Sequence, residues 1–379
     1  MTPADPPAAP RRRPTQTEIA RIAGVSQATV SLVLNGRDDE LSEATRQRVR
    51  EVLQRVGYVA NPVARVLAGG QNRILGIHTF EQVFPLHSGD FYFPFLLGVE
   101  EEAERQGYDL LMFTSAGGSR RVFSGGATRL ELADGSLLLG RRPDLEEIGR
   151  LAEMEYPFVY IGHRDLPGRG ISYVAADYAT ATAEATRRLL EAGHRRIAYV
   201  RYGESVGQPG IDRLEGFRAV AREERLTSAA SPLWNVDGPA DVEGLLDDVR
   251  ESHTTALLVE QQQLAELLRA ACRSRGLRIP DDLSIAVLGD SIGAQRPDPG
   301  WSGFHVPRRE MGASATRLLI AQLRGDVAAP AVRSIPCRTV DGSTIAAPRT
   351  APGAARPAAR RAPQPPPGEQ PGGARKAAQ

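Results

Sequence analysis

Residues 17–36 read TEIARIAGVSQATVSLVLNG, and the spacing of their apolar residues predicts two short helices. Ile19 and Ala23 fall four residues apart, on one face of the first helix. Gly24 stands where a tight turn needs positive φ without a side-chain penalty, and Ser26 is suited to cap the helix that follows. A helix, a glycine turn and a second helix in this order predict a helix-turn-helix. An ordinary helical hairpin is the alternative.

The second helix has a buried and an outward side. Val30 and Val33 continue the buried face, which leaves Gln27, Ala28 and Leu32 on outward faces. Small and amide-bearing side chains in such positions fit the major groove of DNA. The sequence therefore predicts that this helix reads DNA.

A third helix is predicted after a short acidic loop. Its N-cap is Ser42, and its apolar stripe consists of Val49, Val52, Leu53 and Val56. The loop before it contains the acidic run of residues 38–40, which we expect to repel a nearby DNA backbone. This run has no evident purpose in the sequence.

Six short motifs occur in this segment: Ala23-Gly24-Val25-Ser26, Thr29-Val30-Ser31, Leu34-Asn35-Gly36, Thr45-Arg46, Gly57-Tyr58 and Asn61-Pro62. Together they closely resemble the lactose-repressor (LacI/GalR) family of bacterial transcription regulators. The resemblance extends from about Thr15 to about Ile345. It implies an all-α helix-turn-helix DNA-binding domain with a hinge helix, followed by a two-lobed α/β domain similar to periplasmic binding proteins.

The resemblance also implies roles for individual residues. Base contacts in the major groove fall to Gln27, Ala28 and Leu32, and phosphate contacts fall to Thr29, Ser31, Asn35, Tyr58 and Asn61. The Gln27 amide can form two hydrogen bonds with adenine, whereas Leu32 can only contact thymine methyl groups or exclude water. The alternative for Leu32 is packing against the third helix.

Residues 62–71 resemble the hinge helix of the family. This run is too short to form a stable helix alone in water, so its folding is expected to wait for DNA and for the hinge of a dimer partner. In relatives the residue that matches Leu67 wedges into the minor groove and bends the duplex. A flexible linker that happens to contain a leucine is the alternative.

The composition limits other possibilities. The chain has 379 residues, enough for several domains, and a net charge of +1. Residues 1–73 carry eleven arginines against seven Asp and Glu residues, enough for a modest basic face. The two cysteines, Cys272 and Cys337, follow no metal-ligand spacing, and no apolar run is long enough to predict a transmembrane helix. No export signal follows Arg11-Arg12-Arg13, so a cytoplasmic location is expected.

Short apolar runs alternate with amphipathic helical patterns beyond the hinge. The runs are residues 74–77, 109–113, 136–139, 158–161, 197–200, 256–259 and 284–288, and the clearest helices are residues 95–106, 178–192, 214–225 and 264–275. Continuous apolar strands separated by helices predict parallel sheets covered on both faces. Their number and grouping suggest two doubly wound lobes with a ligand cleft at the carboxyl ends of the strands.

The predicted organisation has five parts. They are a disordered arm (1–14), the helix-turn-helix domain (15–61), the hinge helix or linker (62–71), a two-lobed effector-binding and dimerisation domain (72–345) and a disordered tail rich in Pro, Ala and Arg (346–379).

The cleft residues implied by the resemblance are partly kept and partly changed. Asp177 and Arg213 match positions that bind ligand, and such a pair can grip a polyol or a small anion. Gln261 replaces the first residue of a usual Asn-Asp pair, and Gly289 lacks a carboxylate that many relatives use. Phe93 could stack on a sugar ring. The alternatives are that Asp177 caps its helix, that Arg213 pairs with a nearby acid and that Phe93 simply packs.

The sequence therefore predicts a homodimeric, sequence-specific DNA-binding regulator, most simply a repressor. It binds a pseudo-palindromic operator, and a sugar-like effector in the cleft modulates its DNA affinity. No pattern of a catalytic triad, a zinc protease or a dinucleotide site occurs, so neither an enzyme nor a cofactor nor a metal is predicted. A regulator of the same build without an effector and a solute-binding protein are the alternatives.

Overall fold

The computed structural model describes residues 14–34, 38–56, 58, 72–81, 91–114, 120–124, 126–203, 207–289 and 300–349. The first part is a group of three helices: α1 (Gln16–Ala23), α2 (Gln27–Leu34) and α3 (Glu43–Arg55). Ile19, Val30 and Val49 are fully buried where the three helices meet. The expected helix-turn-helix and third helix are both present.

The chain then builds two α/β lobes. Its next elements are β1 (Ile74–Thr79), α4 (Phe93–Gln106), β2 (Asp109–Phe113), β3 (Phe123–Ser124), β4 (Ala127–Thr128), a 3₁₀ helix (Arg129–Leu132), β5 (Gly135–Leu139), α5 (Leu145–Glu153), β6 (Phe158–Ile161) and β7 (Tyr173–Ala176). The chain continues through α6 (Tyr178–Glu191), β8 (Ile197–Tyr202), α7 (Gln208–Glu223), β9 (Leu233–Val236), α8 (Pro239–Glu251), β10 (Ala256–Val259), α9 (Gln262–Ser274), β11 (Ser284–Val287), β12 (Ser302–His305), α10 (Arg308–Arg324), β13 (Val332–Ile335) and β14 (Arg338–Val340).

Each lobe contains one six-stranded sheet. The first-lobe sheet has the order β13-β7-β6-β5-β1-β2, and all its neighbouring strands are parallel. The second-lobe sheet has the order β14-β12-β11-β10-β8-β9, and only the β12–β14 pair is antiparallel. Every residue of the central strands β5, β6, β10 and β11 is buried, as expected for sheets covered on both faces.

The chain crosses between the lobes at three short segments. They are Asp177 between β7 and α6, residues 306–307 between β12 and α10, and residues 336–337 between β13 and β14. Each crossing leaves the carboxyl end of a strand, so the carboxyl ends of both sheets meet at the junction of the lobes. The Asp177 backbone N–H donates to the Ile335 carbonyl at 2.9 Å, so two of these crossings lie side by side. A cleft at this junction is thus built into the topology.

The two-lobed parallel fold predicted from the sequence is confirmed, while several elements differ, among them β9 and β12, which were not predicted. The helix expected from Leu214 begins at Gln208, because Pro209 is well suited to the first helical turn. The edge strands β13 and β14 were not predicted, because most of their residues are exposed and their sequences lack a long apolar run.

Candidate nucleic-acid interface and interlobe cleft

The turn between α1 and α2 has the geometry that its residues favour. Gly24 ends α1 in the left-handed region at φ 64°. The Ser26 hydroxyl oxygen accepts a hydrogen bond from the Thr29 backbone N–H at 3.0 Å, so Ser26 caps α2. Ser42 caps α3 in the same way through the Thr45 backbone N–H. These local bonds fix the angle at which α2 leaves the turn.

One side of α2 faces solvent. Gln27, Ala28 and Leu32 are exposed, and 36% of Leu32 is accessible. Ser31 follows Gln27 by four residues and Leu32 follows Ala28 by four, so these side chains share one side of the helix. Leu32 is therefore not packed into the core against α3, and the side chains expected to contact bases lie together.

The other residues expected to contact DNA differ in what the structure says of them. Thr29 is half-buried, and its hydroxyl lies 2.9 Å from that of Ser26. Tyr58 is half-buried and packs against the three-helix core, and its backbone N–H donates to the Leu53 carbonyl at 3.0 Å. The expected contacts at Asn35, Asn61 and Leu67 lie outside the described residues, as does the whole of the expected hinge at 62–71.

The acidic loop before α3 needs a correction at Asp38. This side chain is buried, and one carboxylate oxygen lies 3.0 Å from Nη2 of Arg50. The Arg46 guanidinium also donates to the Asp38 backbone carbonyl at 3.4 Å. Asp38 therefore ties its loop to α3, and only Asp39 and Glu40 are exposed acids that could repel a DNA backbone.

The first-lobe wall of the cleft is organised around Glu81, just after β1. Its carboxylate accepts a hydrogen bond from the Tyr92 hydroxyl at 2.9 Å and from the Arg141 backbone N–H at 2.8 Å. The Arg141 Nε also donates to it at 3.2 Å. Burial opposes ionisation of Glu81, but these hydrogen bonds outweigh it and lower the pKa of the carboxyl group. Glu81 is therefore held as a carboxylate with its oxygens already bonded.

Arg164, in the loop after β6, belongs to the same wall. Its guanidinium donates to the Gly140 carbonyl at 2.8 Å and lies 4.9 Å from the centre of the Tyr160 ring. The Tyr160 hydroxyl donates to the same carbonyl at 2.6 Å. Burial raises the pKa of Tyr160 to about 12, so the hydroxyl keeps its proton.

The second-lobe wall is organised around Arg213 on α7. Its Nε donates to the Leu288 carbonyl at 2.8 Å, and its guanidinium carbon lies 4.0 Å from the centre of the Tyr178 ring. Nη1 lies 3.8 Å from the Glu260 carboxylate, which also accepts a hydrogen bond from the Tyr199 hydroxyl at 3.2 Å. Burial and the nearby Glu260 carboxylate raise the pKa of Tyr199.

Gly289 makes room for this guanidinium. Its φ is 144°, a conformation that L side chains rarely adopt. A Cβ at this position would lie 3.3 Å from Nη2 of Arg213 and 3.5 Å from Val306. The absence of a carboxylate side chain here therefore accompanies a buried arginine that fills the same space.

The remaining cleft residues predicted from the sequence have internal contacts. The Asp177 carboxylate accepts from the Thr180 backbone N–H at 3.0 Å and caps α6. The Gln261 side-chain oxygen accepts from the Tyr202 backbone N–H at 3.1 Å. Phe93 is the first residue of α4 and is 58% exposed, so it does not pack in the core. The capping alternative for Asp177 and the ion-pair alternative for Arg213 both describe contacts that exist.

A side-chain contact between described residues of the two lobes joins the two walls of the cleft. Nδ1 of His163, after β6, lies 3.1 Å from Oδ2 of Asp212 on α7. Nε2 of the same ring lies 3.3 Å from Oδ1 of Asp165, in its own loop. The His163 ring also stacks on Tyr173, with 5.0 Å between ring centres.

No helix in the described ranges is both long and apolar enough to span a membrane. Within the same ranges, no group of three or more His, Cys, Asp or Glu residues is arranged to hold a metal ion.

Comparison with known families agrees with this architecture. Residues 15–61 match bacterial regulatory proteins of the lacI family. Residues 79–233 match the periplasmic binding proteins and sugar binding domain of the LacI family, and residues 186–345 match a periplasmic binding protein-like domain. The HTH-type transcriptional regulator CelR of Thermobifida fusca is 31% identical over 327 residues, which cover 84% of this chain and 95% of the relative. The chain belongs to the LacI family of bacterial transcriptional regulators.

Other LacI-family proteins align over similar lengths. The ribose operon repressor of Escherichia coli is 28% identical, and the alignment covers 82% of this chain and 93% of that protein. A solved complex of the regulator CelR with cellobiose is 26% identical, has a TM-score of 0.59 and covers 88% of this chain and 100% of that one. The lac repressor dimer bound to operator and an anti-inducer, at 21% identity and a TM-score of 0.66, shares the fold over 89% of this chain and 100% of that one. These named relatives are regulators rather than enzymes.

Several residues that build the cleft were not predicted from the sequence. Glu81 and Glu260 each follow a buried strand closely, and a carboxylate at that position was the signal that could have found them. His163 and Asp212 were missed because they lie 49 positions apart and meet only when the two lobes are assembled.

Proposed function

We propose that this LacI-family regulator is a repressor that binds a pseudo-palindromic operator as a homodimer, in the cytoplasm. The observation that carries the proposal is the solvent-facing side of α2, where Gln27, Ala28 and Leu32 lie together on a helix fixed by its Ser26 cap. A helix presented in this way fits the major groove. A dimer reads two half-sites, which accounts for a two-fold operator.

The proposal includes the remaining DNA contacts expected from the sequence. Thr29, Ser31, Asn35, Tyr58 and Asn61 hold phosphates, and Leu67 enters the minor groove at the operator centre. Phosphate contacts set affinity, whereas the side chains on the outer face of α2 set the preferred sequence.

A binding-site selection with the purified chain and random duplex DNA tests this proposal. We expect an enriched inverted repeat. Replacing Gln27 with Ala should relax the preference at one position of each half-site, because the amide reads an adenine there. Gln47→Ala is the matched control, since Gln47 is an exposed glutamine on α3 away from this face. Recovery of random sequences by the unmodified chain would contradict the proposal.

We further propose that the cleft binds a neutral sugar and that this binding changes operator affinity. Each wall offers a carboxylate and a guanidinium side by side, Glu81 with Arg141 and Glu260 with Arg213. Such pairs supply both acceptors and donors for hydroxyl groups without an excess of positive charge for an anion. Asp177, Gln261 and the exposed ring of Phe93 complete the set. The CelR relative solved with cellobiose supports trying that disaccharide first.

A regulator without an effector is the second candidate. It is favoured by one observation, namely that Asp177, Arg213 and Gln261 already bond to groups of the protein itself. Thermal shift against cellobiose, ribose and their phosphates separates the two candidates. A stabilised chain that also changes its operator affinity supports an effector, whereas a flat response across the panel supports its absence.

A further inference from the structure

His163 and Asp212 connect the two lobes away from the chain crossings. His163 belongs to the loop after β6 of the first lobe, and Asp212 lies in the second turn of α7 of the second lobe. The two carboxylate oxygens of Asp212 lie 3.1 and 3.3 Å from Nδ1 of His163. Both side chains are largely shielded, with 23% of His163 and 14% of Asp212 exposed. A contact so shielded is less weakened by solvent than a surface ion pair.

Neighbouring groups fix both partners in place. The His163 ring stacks on Tyr173 at an interplanar angle of 24°, and its other nitrogen faces Asp165. Asp212 also accepts a hydrogen bond from the Gln208 amide at 3.0 Å. The geometry of the contact is therefore set from both lobes, and a change in the angle between the lobes has to break it.

Asp212 is also adjacent in sequence to Arg213. The first two turns of α7 thus carry both the contact to the first lobe and the arginine that the proposed effector would bind. If a ligand at Arg213 displaces this end of the helix, Asp212 moves with it relative to His163.

We propose that His163 and Asp212 form an interlobe clasp that sets how strongly the effector changes operator affinity. This inference rests on the proposed function, because it assigns the regulation of the same cleft. The clasp favours one arrangement of the lobes, and effector binding shifts the balance only to the extent that it offsets the clasp. Loss of the clasp therefore changes the response and leaves the DNA-reading side of α2 untouched.

Asp165 provides a matched control for this proposal. It contacts the same imidazole through the other ring nitrogen, but it lies in the same lobe as His163. Asp165→Ala and Asp212→Ala each remove one carboxylate from this ring, and only Asp212→Ala removes a link between the lobes.

The first experiment measures operator Kd with and without cellobiose for the full chain and the two variants. We expect Asp212→Ala and His163→Ala to change the ratio of the two Kd values by about threefold or more, a size typical of single mutations that modulate an allosteric coupling. Asp165→Ala should leave that ratio within a factor of about 1.5 of the unmodified chain. If cellobiose changes the operator Kd of the unmodified chain, equal effects of Asp165→Ala and Asp212→Ala on the ratio, or no effect of either, would overturn the clasp.

The second experiment needs neither DNA nor sugar. Thermal unfolding of His163→Ala, Asp212→Ala and the double variant forms a mutant cycle. We expect the double variant to shift Tm by less than the sum of the two single shifts, because each single change already removes the shared link. Fully additive shifts would overturn the clasp. A chain that ignores every sugar but shows this non-additivity would contradict the proposed effector and keep the clasp.

Discussion

At the scale of single residues, Leu32 differs from its neighbours on α2. Val30 and Val33 are buried in the three-helix core, whereas Leu32 is exposed beside Gln27 and Ala28. A leucine offers no hydrogen bonds to base edges, so in the proposed complex with DNA it discriminates only through thymine methyl groups and the exclusion of water. The identity of this side chain should therefore affect which operator is chosen more than how tightly DNA is held.

Leu32→Arg should change the preferred operator sequence. An arginine at this position can form two hydrogen bonds with guanine, a contact that typically contributes about 1–3 kcal/mol of discrimination. Binding-site selection on the variant should return a motif with a new G·C pair in each half-site. Leu132→Arg, a change at an exposed leucine of the first lobe, is the control. An unchanged motif for Leu32→Arg would remove Leu32 from the reading face.

The surroundings of His194 differ from what its position in the sequence suggests. Its position after α6 suggests a charged group capping the helix end, but its side chain is buried, with 1% exposed. Nδ1 lies 2.8 Å from the Thr255 hydroxyl, and Nε2 lies 2.9 Å from the Ala346 carbonyl. One acceptor and one donor nitrogen match a neutral ring. Burial lowers the pKa of His194, although the bond to Ala346 opposes the shift.

Folding stability should therefore fall in mildly acidic solution. A His whose pKa is lowered in the fold contributes stability that is complete above its usual pKa of about 6.5 and is lost as the pH falls through the lower folded value. Urea unfolding at pH 8 and pH 5.5 should show the loss, and His194→Gln should reduce it. His253→Gln, at an exposed histidine, is the matched control. His78 is buried with a lowered pKa, so part of the dependence should remain.

At the scale of elements, α4 and α10 pack closely because each has a glycine at the point of contact. A Cβ on Gly98 would overlap the Arg309 carbonyl, and a Cβ on Gly312 would overlap the Phe95 carbonyl. The two helices therefore approach with backbone against backbone. This contact brings α10 back to the first lobe after the chain has passed through the second.

Gly312→Ala should destabilise the first lobe by about 1–3 kcal/mol, because both helices must move apart to admit the methyl group. Gly149→Ala is the matched control within a helix, since a Cβ there meets no atom within 4 Å. That change should be neutral or stabilising by up to about 1 kcal/mol, because alanine favours the helix. Chemical denaturation of both variants measures the difference. Equal effects would show that the helices can separate at little cost.

The elements also show what the sequence could predict. The caps Ser26 and Ser42 were found because each bonds a backbone three residues away, within reach of local reasoning. The apolar strands were found because both faces of each sheet are covered. The exposed edge strands β13 and β14 carry no such pattern, and their partners lie far away in the chain. For the same reason the ion pair of Arg213 was only one of two alternatives, and its partner Glu260 was not named.

At the scale of the whole molecule, the last described segment completes both lobes. Residues 332–335 add an edge strand to the first sheet, and residues 338–340 add one to the second. Beyond them the Thr344 hydroxyl donates to the Ile285 carbonyl at 2.6 Å, and the Ala346 carbonyl accepts a hydrogen bond from Nε2 of His194. The stability of both lobes therefore depends on the same short piece of chain.

A chain that ends at Asp326 should lose stability in both lobes at once. We expect Tm to fall by at least about 10 °C, because several strand pairings and buried hydrogen bonds are lost together. A chain that ends at Arg349 keeps all the contacts described and is the control. Calorimetry on the two truncated chains measures the effect. A small shift confined to one unfolding transition would mean that the lobes do not share this dependence.

The three crossings between the lobes also restrict how the lobes can move. Ala176 pairs with Ile335, and His305 pairs with Arg338, at the strand ends where the chain crosses between the lobes. The three crossings therefore lie in a row, each about one strand spacing from the next. Two bodies linked at one point can rotate about three axes, whereas a row of linked points leaves one easy rotation, about the line through them. Pro307 and Pro336 lie in two of the crossings, where their fixed φ makes the backbone stiffer. A change in the angle between the lobes is therefore largely confined to one rotation, about the line through the three crossings.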